Sequence, residues 1–97
     1  MLKPIQFAES ALCDFEDILA WYAEQQVPEV GERLVRELFA RTEQLTDFPE
    51  SGRIVPEFAV KTIRELIHPP FRLVYRIDPE TIWIIRVWRS DRLMILP

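Results

Sequence analysis

The chain has 97 residues, 48% hydrophobic and 29% charged, with a net charge of −4. That mix fits a single globular domain over residues 1–97 and argues against disorder and against a general nucleic-acid binder. No apolar run reaches the roughly eighteen residues of a membrane span, and no basic leader precedes an apolar core at the N-terminus. The single cysteine, Cys13, cannot form an internal disulfide, so a reduced, cytoplasmic setting is expected, with Cys13 as a small buried side chain.

In chain order, Lys3-Pro4-Ile5-Gln6-Phe7 is short and Pro-marked, which suits an edge strand. From Ala8 to about Gln25 the residues Ala8, Ala11, Leu12, Phe15, Ile18, Leu19 and Tyr22 recur at helical steps and form one apolar stripe. Asp14, Glu16, Asp17 and Glu24 fall mostly off that stripe, and Trp21 falls at its margin or faces a partner. Gln26-Val27-Pro28 interrupts the pattern, and Pro28 sits where a first helical turn accepts proline. A second helix runs to about Asp47, with Val30, Leu34, Leu38, Arg41 or Thr42, and Leu45 inward, widened by Val35 and Phe39. Gly31 weakens its first turns. Phe48-Pro49-Glu50-Ser51-Gly52 ends it, and so short a joint between helices makes them antiparallel neighbours.

Arg53-Ile54-Val55 is a candidate extended piece, and Pro56 to Val60 reads as a loop. Ile63 to Arg92 then reads as successive β-strands joined by turns at His68-Pro69-Pro70 and Asp78-Pro79-Glu80-Thr81, where Pro supplies the φ of a type I turn. In the middle strand Phe71, Leu73, Tyr75 and Ile77 share one face, and Arg72, Val74 and Arg76 the other. The last strand is apolar on both faces, as a central strand would be, and a bulge near Arg86 would shift its alternation. The order β-α-α-β-β-β predicts an α+β fold. An N-terminal edge strand and an antiparallel helical hairpin accompany a three-stranded antiparallel sheet, with the hairpin on one face. The apolar tail Leu93-Met94-Ile95-Leu96-Pro97 either packs back on the hairpin, the default, or offers a partner an adhesive edge.

Charge is divided unevenly. Residues 1–51 hold four basic and eleven acidic groups, and residues 52–97 hold eight and five, so the halves carry −7 and +3. Two readings stay open: a positive face presented to an acidic partner, or acidic helices and arginine-bearing strands that neutralise one another. Arg64, Arg72, Arg76, Arg86, Arg89 and Arg92 are the arginines concerned. His68, the only histidine, lies in a Pro-flanked turn and reads as a solvated turn residue, and Tyr75 reads as core. No Cys/His cluster, Gly-rich phosphate loop or serine motif is present, so neither metal nor other cofactor is expected.

In this order and spacing, four stretches resemble the RelE/ParE superfamily of toxins from type II toxin–antitoxin systems over essentially the whole chain. They are Phe48-Pro49-Glu50-Ser51-Gly52-Arg53, Ile63-Arg64-Glu65-Leu66, Phe71-Arg72-Leu73-Val74-Tyr75-Arg76-Ile77 and Ile84-Ile85-Arg86-Val87-Trp88 followed by Arg92. The RelE-like branch cuts mRNA on the ribosome with basic strands and a terminal Tyr or His. Against that pattern Arg72 matches a strand arginine and Glu57 stands where some members place an acidic base. Glu65, however, occupies a position where a catalytic lysine would be useful, and no terminal Tyr or His remains.

The resemblance is therefore closer to the ParE-like, plasmid-stabilisation branch, which lacks nuclease residues and is associated with inhibition of DNA gyrase and growth arrest. Arg89-Ser90-Asp91-Arg92 keeps the arginine of that branch's usual His-Gly-x-Arg ending but not the His-Gly. The resemblance implies a cognate antitoxin that neutralises the chain in a hetero-oligomer. It implies gyrase as target and contact with DNA only through the antitoxin. Arg64, Arg72, Arg76, Arg86, Arg89 and Arg92 are the candidate partner contacts, with Trp88 or Trp83 as aromatic anchor and an open sheet edge for an extended segment. Two alternatives remain: an mRNA endonuclease using Arg72 with Glu57, and a non-toxic relative that only binds its partner.

Overall fold

The computed structural model describes residues 2–90, so Arg92 and the Leu93–Pro97 tail lie outside the described residues. The elements are β1 (Ile5–Phe7), α1 (Glu9–Glu24), α2 (Pro28–Thr42), α3 (Gln44–Asp47), β2 (Arg53–Ile54), β3 (Ile63–His68), β4 (Phe71–Ile77) and β5 (Ile82–Arg89). The sheet is five-stranded and mixed, in the order β1-β5-β4-β3-β2, and not three-stranded as expected. Its antiparallel centre β3-β4-β5 is the expected one. The additions are β1, parallel to β5 with Ile5 opposite Ile82, and β2, antiparallel to β3 with Arg53 opposite Glu65. Both additions are too short to carry readable alternation.

One face of the sheet takes the helices. Ala11, Phe15 and Ile18 of α1, Leu34 and Leu38 of α2, and Leu45 of α3 meet Leu66, Phe71, Leu73, Tyr75, Ile82, Ile84 and Val87 in one core. Each large side chain buried there contributes roughly 1.5–3 kcal/mol. The α1 stripe is wider than the surface that covers it: Leu12 is 45% and Leu19 37% exposed. Cys13 is exposed as well, on the solvent side of α1, and is not the buried side chain expected.

Local chemistry sets the helix ends. Gln26 adopts φ 64°, and bonds from Gln26 N–H to Ala23 O and from Val27 N–H to Tyr22 O close α1 where the apolar pattern stops. The second helix does not run unbroken to Asp47. The Glu43 N–H bonds the Ala40 carbonyl three residues back, and the Thr42 hydroxyl takes the Phe39 carbonyl, so α2 tightens and α3 starts separately. Gly31 does more than weaken a turn. A Cβ there would lie 2.9 Å from the Tyr22 Cβ, so glycine lets α2 cross close to α1.

β5 carries the expected irregularity. The register against β4 passes from Val74 opposite Arg86 to Tyr75 opposite Ile84, leaving Ile85 as the extra residue. Ile82, Ile84 and Val87 therefore all face the helices. Trp83 and Trp88 are five positions apart, which strict alternation would put on opposite faces. The bulge places both on the far face.

Candidate functional site

The far face of the sheet is built in rows fixed by register. Ile67, Arg72 and Trp88 stand side by side; next come Arg53, Glu65, Val74 and Arg86; then Ile63, Arg76 and Trp83. The segment after β2 folds over part of this surface, where Val55 and Val74 form a small second core with Phe58, Ile63, Ile85 and Trp88 against them. The loop from Pro56 to Val60 is thus a strap across the face that carries the arginines.

That strap brings Glu57 onto Arg72. The two guanidinium NH groups of Arg72 donate to the two oxygens of Glu57 at 2.8 Å each, and its Nε donates to Glu65 Oε1 at 2.6 Å. The other Glu65 oxygen accepts from Arg53 Nε at 2.6 Å. The Glu65 side chain is fully buried and that of Arg72 6% exposed. The result is a chain of alternating charge, Arg53–Glu65–Arg72–Glu57. Hydrogen bonding to Glu57, and then to Glu65, holds the Arg72 guanidinium more firmly protonated than usual. Glu65, which looked in sequence like a lysine position left empty, is the centre of this network.

Further arginines also meet carboxylates of the same chain. Arg64 reaches Glu50 at 3.4 Å and the Gly52 carbonyl at 3.0 Å. Arg76 binds Asp78 at 2.9 Å, each holding the other in its charged form, with Asp78 below the ordinary carboxylate range. Arg86 makes paired bonds of 2.9 and 3.0 Å to Asp14 of α1, and its guanidinium lies 4.3 Å from the Trp88 ring centre. Of these carboxylates only Asp14 and Glu50 come from the acidic first half; Glu57, Glu65 and Asp78 lie in the arginine-rich half itself. Arg89 is exposed at the end of β5.

Asp14 is a functional-looking residue that pattern reading missed. It sits in a helix, is 7% exposed, and accepts the Val87 N–H at 2.8 Å besides holding Arg86. Its only sequence signal is its spacing from Ala11 and Ile18, at helical steps of three and four. It lines a cleft of about 380 Å³ between α1 and β5 together with Ile18, Trp21, Tyr22, Phe71 and Trp88.

Tyr75 is core, as expected, but polar at its tip. The hydroxyl donates to the Pro49 carbonyl at 2.7 Å and accepts from Gly52 N–H at 2.9 Å, and burial pushes its pKa up. Gly52 is needed there because a Cβ would come within 2.6 Å of both that hydroxyl and the Glu65 carbonyl.

His68 is not a solvated turn residue. It ends β3 with its side chain 21% exposed, Nδ1 accepting from Arg41 at 3.3 Å and Nε2 donating to Glu37 at 3.0 Å. The turn after it closes through a cis Pro69–Pro70 peptide and so is not a type I turn. The His68 hydrogen bond, ahead of Arg33, draws the Glu37 carboxyl below its ordinary range. A depressed carboxylate stabilises the fold above its unfolded pKa and loses that contribution as pH falls through the folded value. His68→Ala is expected to move the Glu37 titration upward, as read by carboxyl NMR shifts; an unmoved midpoint would remove His68 from this role.

Among the described residues no group of His, Cys, Asp or Glu is placed to hold a metal, and no helix is long and apolar enough to cross a membrane. A helical hairpin thus lies on one side of the sheet and arginines stand on the other. The family description "ParE toxin of type II toxin-antitoxin system, parDE" matches residues 5–94, and the chain belongs to that family. No curated protein matches it by sequence. Among solved structures it is similar to a chain of the chromosomal ParDE TA system from P. aeruginosa, at 22% identity and TM-score 0.78, covering 93% of this chain and 98% of that one. It is also similar to a chain of the RelBE2 toxin–antitoxin complex from Mycobacterium tuberculosis, at 20% identity and TM-score 0.59, covering 93% and 100%. A third is the conserved hypothetical protein HP0894 from Helicobacter pylori, at 23% identity and TM-score 0.56, covering 97% and 100%. At these identities the three structures speak for the fold.

Proposed function

We propose that the chain is the toxin of a type II toxin–antitoxin pair that acts by binding DNA gyrase, without chemistry of its own, and is neutralised by a cognate antitoxin. One observation carries the choice against RNA cleavage. Cleavage by a ribose 2′-hydroxyl needs a base for its proton and a cation for the developing phosphorane charge. Glu57 and Arg72 are the pair available for that, and they are consumed by each other: both Glu57 oxygens and three nitrogens of Arg72 are engaged within the chain. A binding role needs no such residues. The contact surface is then the uncovered remainder of the far face, with Arg53, whose side chain is 59% exposed, and Arg76 at 45%; Arg89, in register with Phe71, adds an exposed guanidinium at the end of β5 on the helix side. Arg72 and Arg86 act as the framework of the far face, while Arg64, in register with Tyr75, braces the segment from Glu50 to Gly52 instead.

An antitoxin partner is supported by the family and by the complexes from which the first two similar chains come. Purified protein is expected to inhibit gyrase supercoiling and to leave ribosome-bound mRNA intact, and the antitoxin to relieve the inhibition. Codon-positioned cleavage of mRNA on ribosomes would overturn this function, and inertness in both assays would favour the non-toxic, partner-binding alternative.

A further inference from the structure

Trp21 stays 49% exposed on α1, although an indole is the largest apolar body a side chain offers. Its ring packs edge-on against Tyr22, with centres 4.8 Å apart, and both border the cleft between α1 and β5. Asp14, Asp17 and Trp21 follow one another along α1 at steps of three and four, so they share the side of the helix turned toward that cleft. Ile18, Phe71 and Val87, all members of the core, form its floor. A volume of about 380 Å³ lies at the low end of ligand pockets, which run from about 300 to 1,000 Å³.

One half of the cleft already holds a guanidinium. Arg86 donates to the two Asp14 oxygens at 2.9 and 3.0 Å while its guanidinium carbon lies 4.3 Å from the Trp88 ring centre. A carboxylate for the fork and an indole for the plane are the partners that suit a guanidinium. The α1 side repeats that pair in Asp17 and Trp21. Asp17 is exposed and makes no hydrogen bond or ion pair among the described residues. The surrounding charge agrees: α1 carries Glu9, Asp14, Glu16, Asp17 and Glu24 and no basic residue, within a first half of net charge −7. Such a field draws cations. Arg89 also borders the cleft, at the end of β5, so the place for an incoming cation is the α1 side.

We infer that this cleft receives an arginine side chain from the surface of a partner protein, its guanidinium laid on the Trp21 indole and forked onto the Asp17 carboxylate. Lysine fits less well, because a compact ammonium neither stacks nor forks. A carboxylate or phosphate would meet Asp14 and Asp17, and a purely apolar side chain would cover Asp17 without pairing it. The chain thus offers two contact surfaces of opposite sign, arginines on the far face of the sheet and this acidic aromatic cleft beside α1. The assignment follows from the chemistry of the cleft and does not rest on the target proposed above.

The test titrates the full chain with a capped Gly-Arg-Gly tripeptide, read by NMR at the indole N–H of Trp21 and the backbone N–H of Val87. Both signals are expected to shift saturably. The arginine peptide should bind roughly threefold or more tightly than its lysine counterpart or its citrulline counterpart, which keeps the shape and loses the charge. Trp21→Ala and Asp17→Asn should each weaken binding roughly threefold or more, whereas Glu16→Gln, on the same helix but outside the cleft, should leave it unchanged. All three positions are exposed, and matching melting of the variants shows that weaker binding is not unfolding. Absence of a saturable shift, or equal binding of the arginine and citrulline peptides, overturns the site. Equal weakening by Asp17→Asn and Glu16→Gln also overturns it, reducing the effect to general attraction by an acidic helix. Shifts of the same signals with protein concentration alone would overturn the partner and give the cleft to an arginine of a second copy.

Discussion

Arg72→Ala is expected to destabilise the protein by about 3–5 kcal/mol, the range for breaking a buried ion pair from one side. The variant strands Glu65, 1% exposed, with only the partly exposed Arg53 to answer its charge, and it takes from Glu57 the guanidinium that engages both its oxygens. For a domain of this size roughly 4–8 °C of melting temperature accompany each kcal/mol, so a drop of roughly 12 °C or more should be seen by thermal denaturation. Glu57→Gln is expected to be much milder, because the Glu57 side chain is 23% exposed and an amide oxygen still accepts from Arg72. The comparison matters for function. A toxicity assay alone would score Arg72→Ala as loss of a contact or catalytic group, whereas the network makes it loss of fold. Unchanged melting with lost activity would return Arg72 to the contact surface.

The sheet centre was legible because period-two alternation states which face a side chain takes. Phe71, Leu73 and Tyr75 went to the helices and Arg72, Val74 and Arg76 to the far side, as alternation requires. What alternation does not state is who waits on that face. Arg72 and Glu57 were both picked out, yet as groups aimed at a substrate; the strap that brings them together is a tertiary event with no periodic trace. Cys13 and His68 failed for a related reason. A lone cysteine suggested burial and a Pro-flanked turn suggested solvent for the histidine, and the packing of α1 and the reach of Glu37 and Arg41 decided otherwise. β1 was legible as an edge strand and β2 only as an extended piece; that they pair with β5 and β3 was not, since strands of three and two residues leave no trace of non-local partners.

Asp14→Ala is the second large effect. It removes the acceptor of the Val87 N–H and the partner of Arg86 in one step. The lost carboxylate leaves one backbone donor unsatisfied and one guanidinium unpaired. Arg86 has a side chain 21% exposed and can turn to water, so the cost is about 2–3 kcal/mol, below that of a fully buried pair. Asp14→Asn keeps an oxygen for Val87 and gives up only the charge, at about 1 kcal/mol. The two variants separate in amide exchange: Val87 loses protection in Asp14→Ala and keeps most of it in Asp14→Asn. A further consequence comes from the sheet edge. With Asp14 gone, the β5 edge beyond β1 displays an unpaired N–H, and the variant should self-associate at concentrations where the parent does not. Light scattering on matched solutions checks this. A monodisperse Asp14→Ala protein with a protected Val87 amide would mean that something other than the Asp14 carboxylate seals that edge.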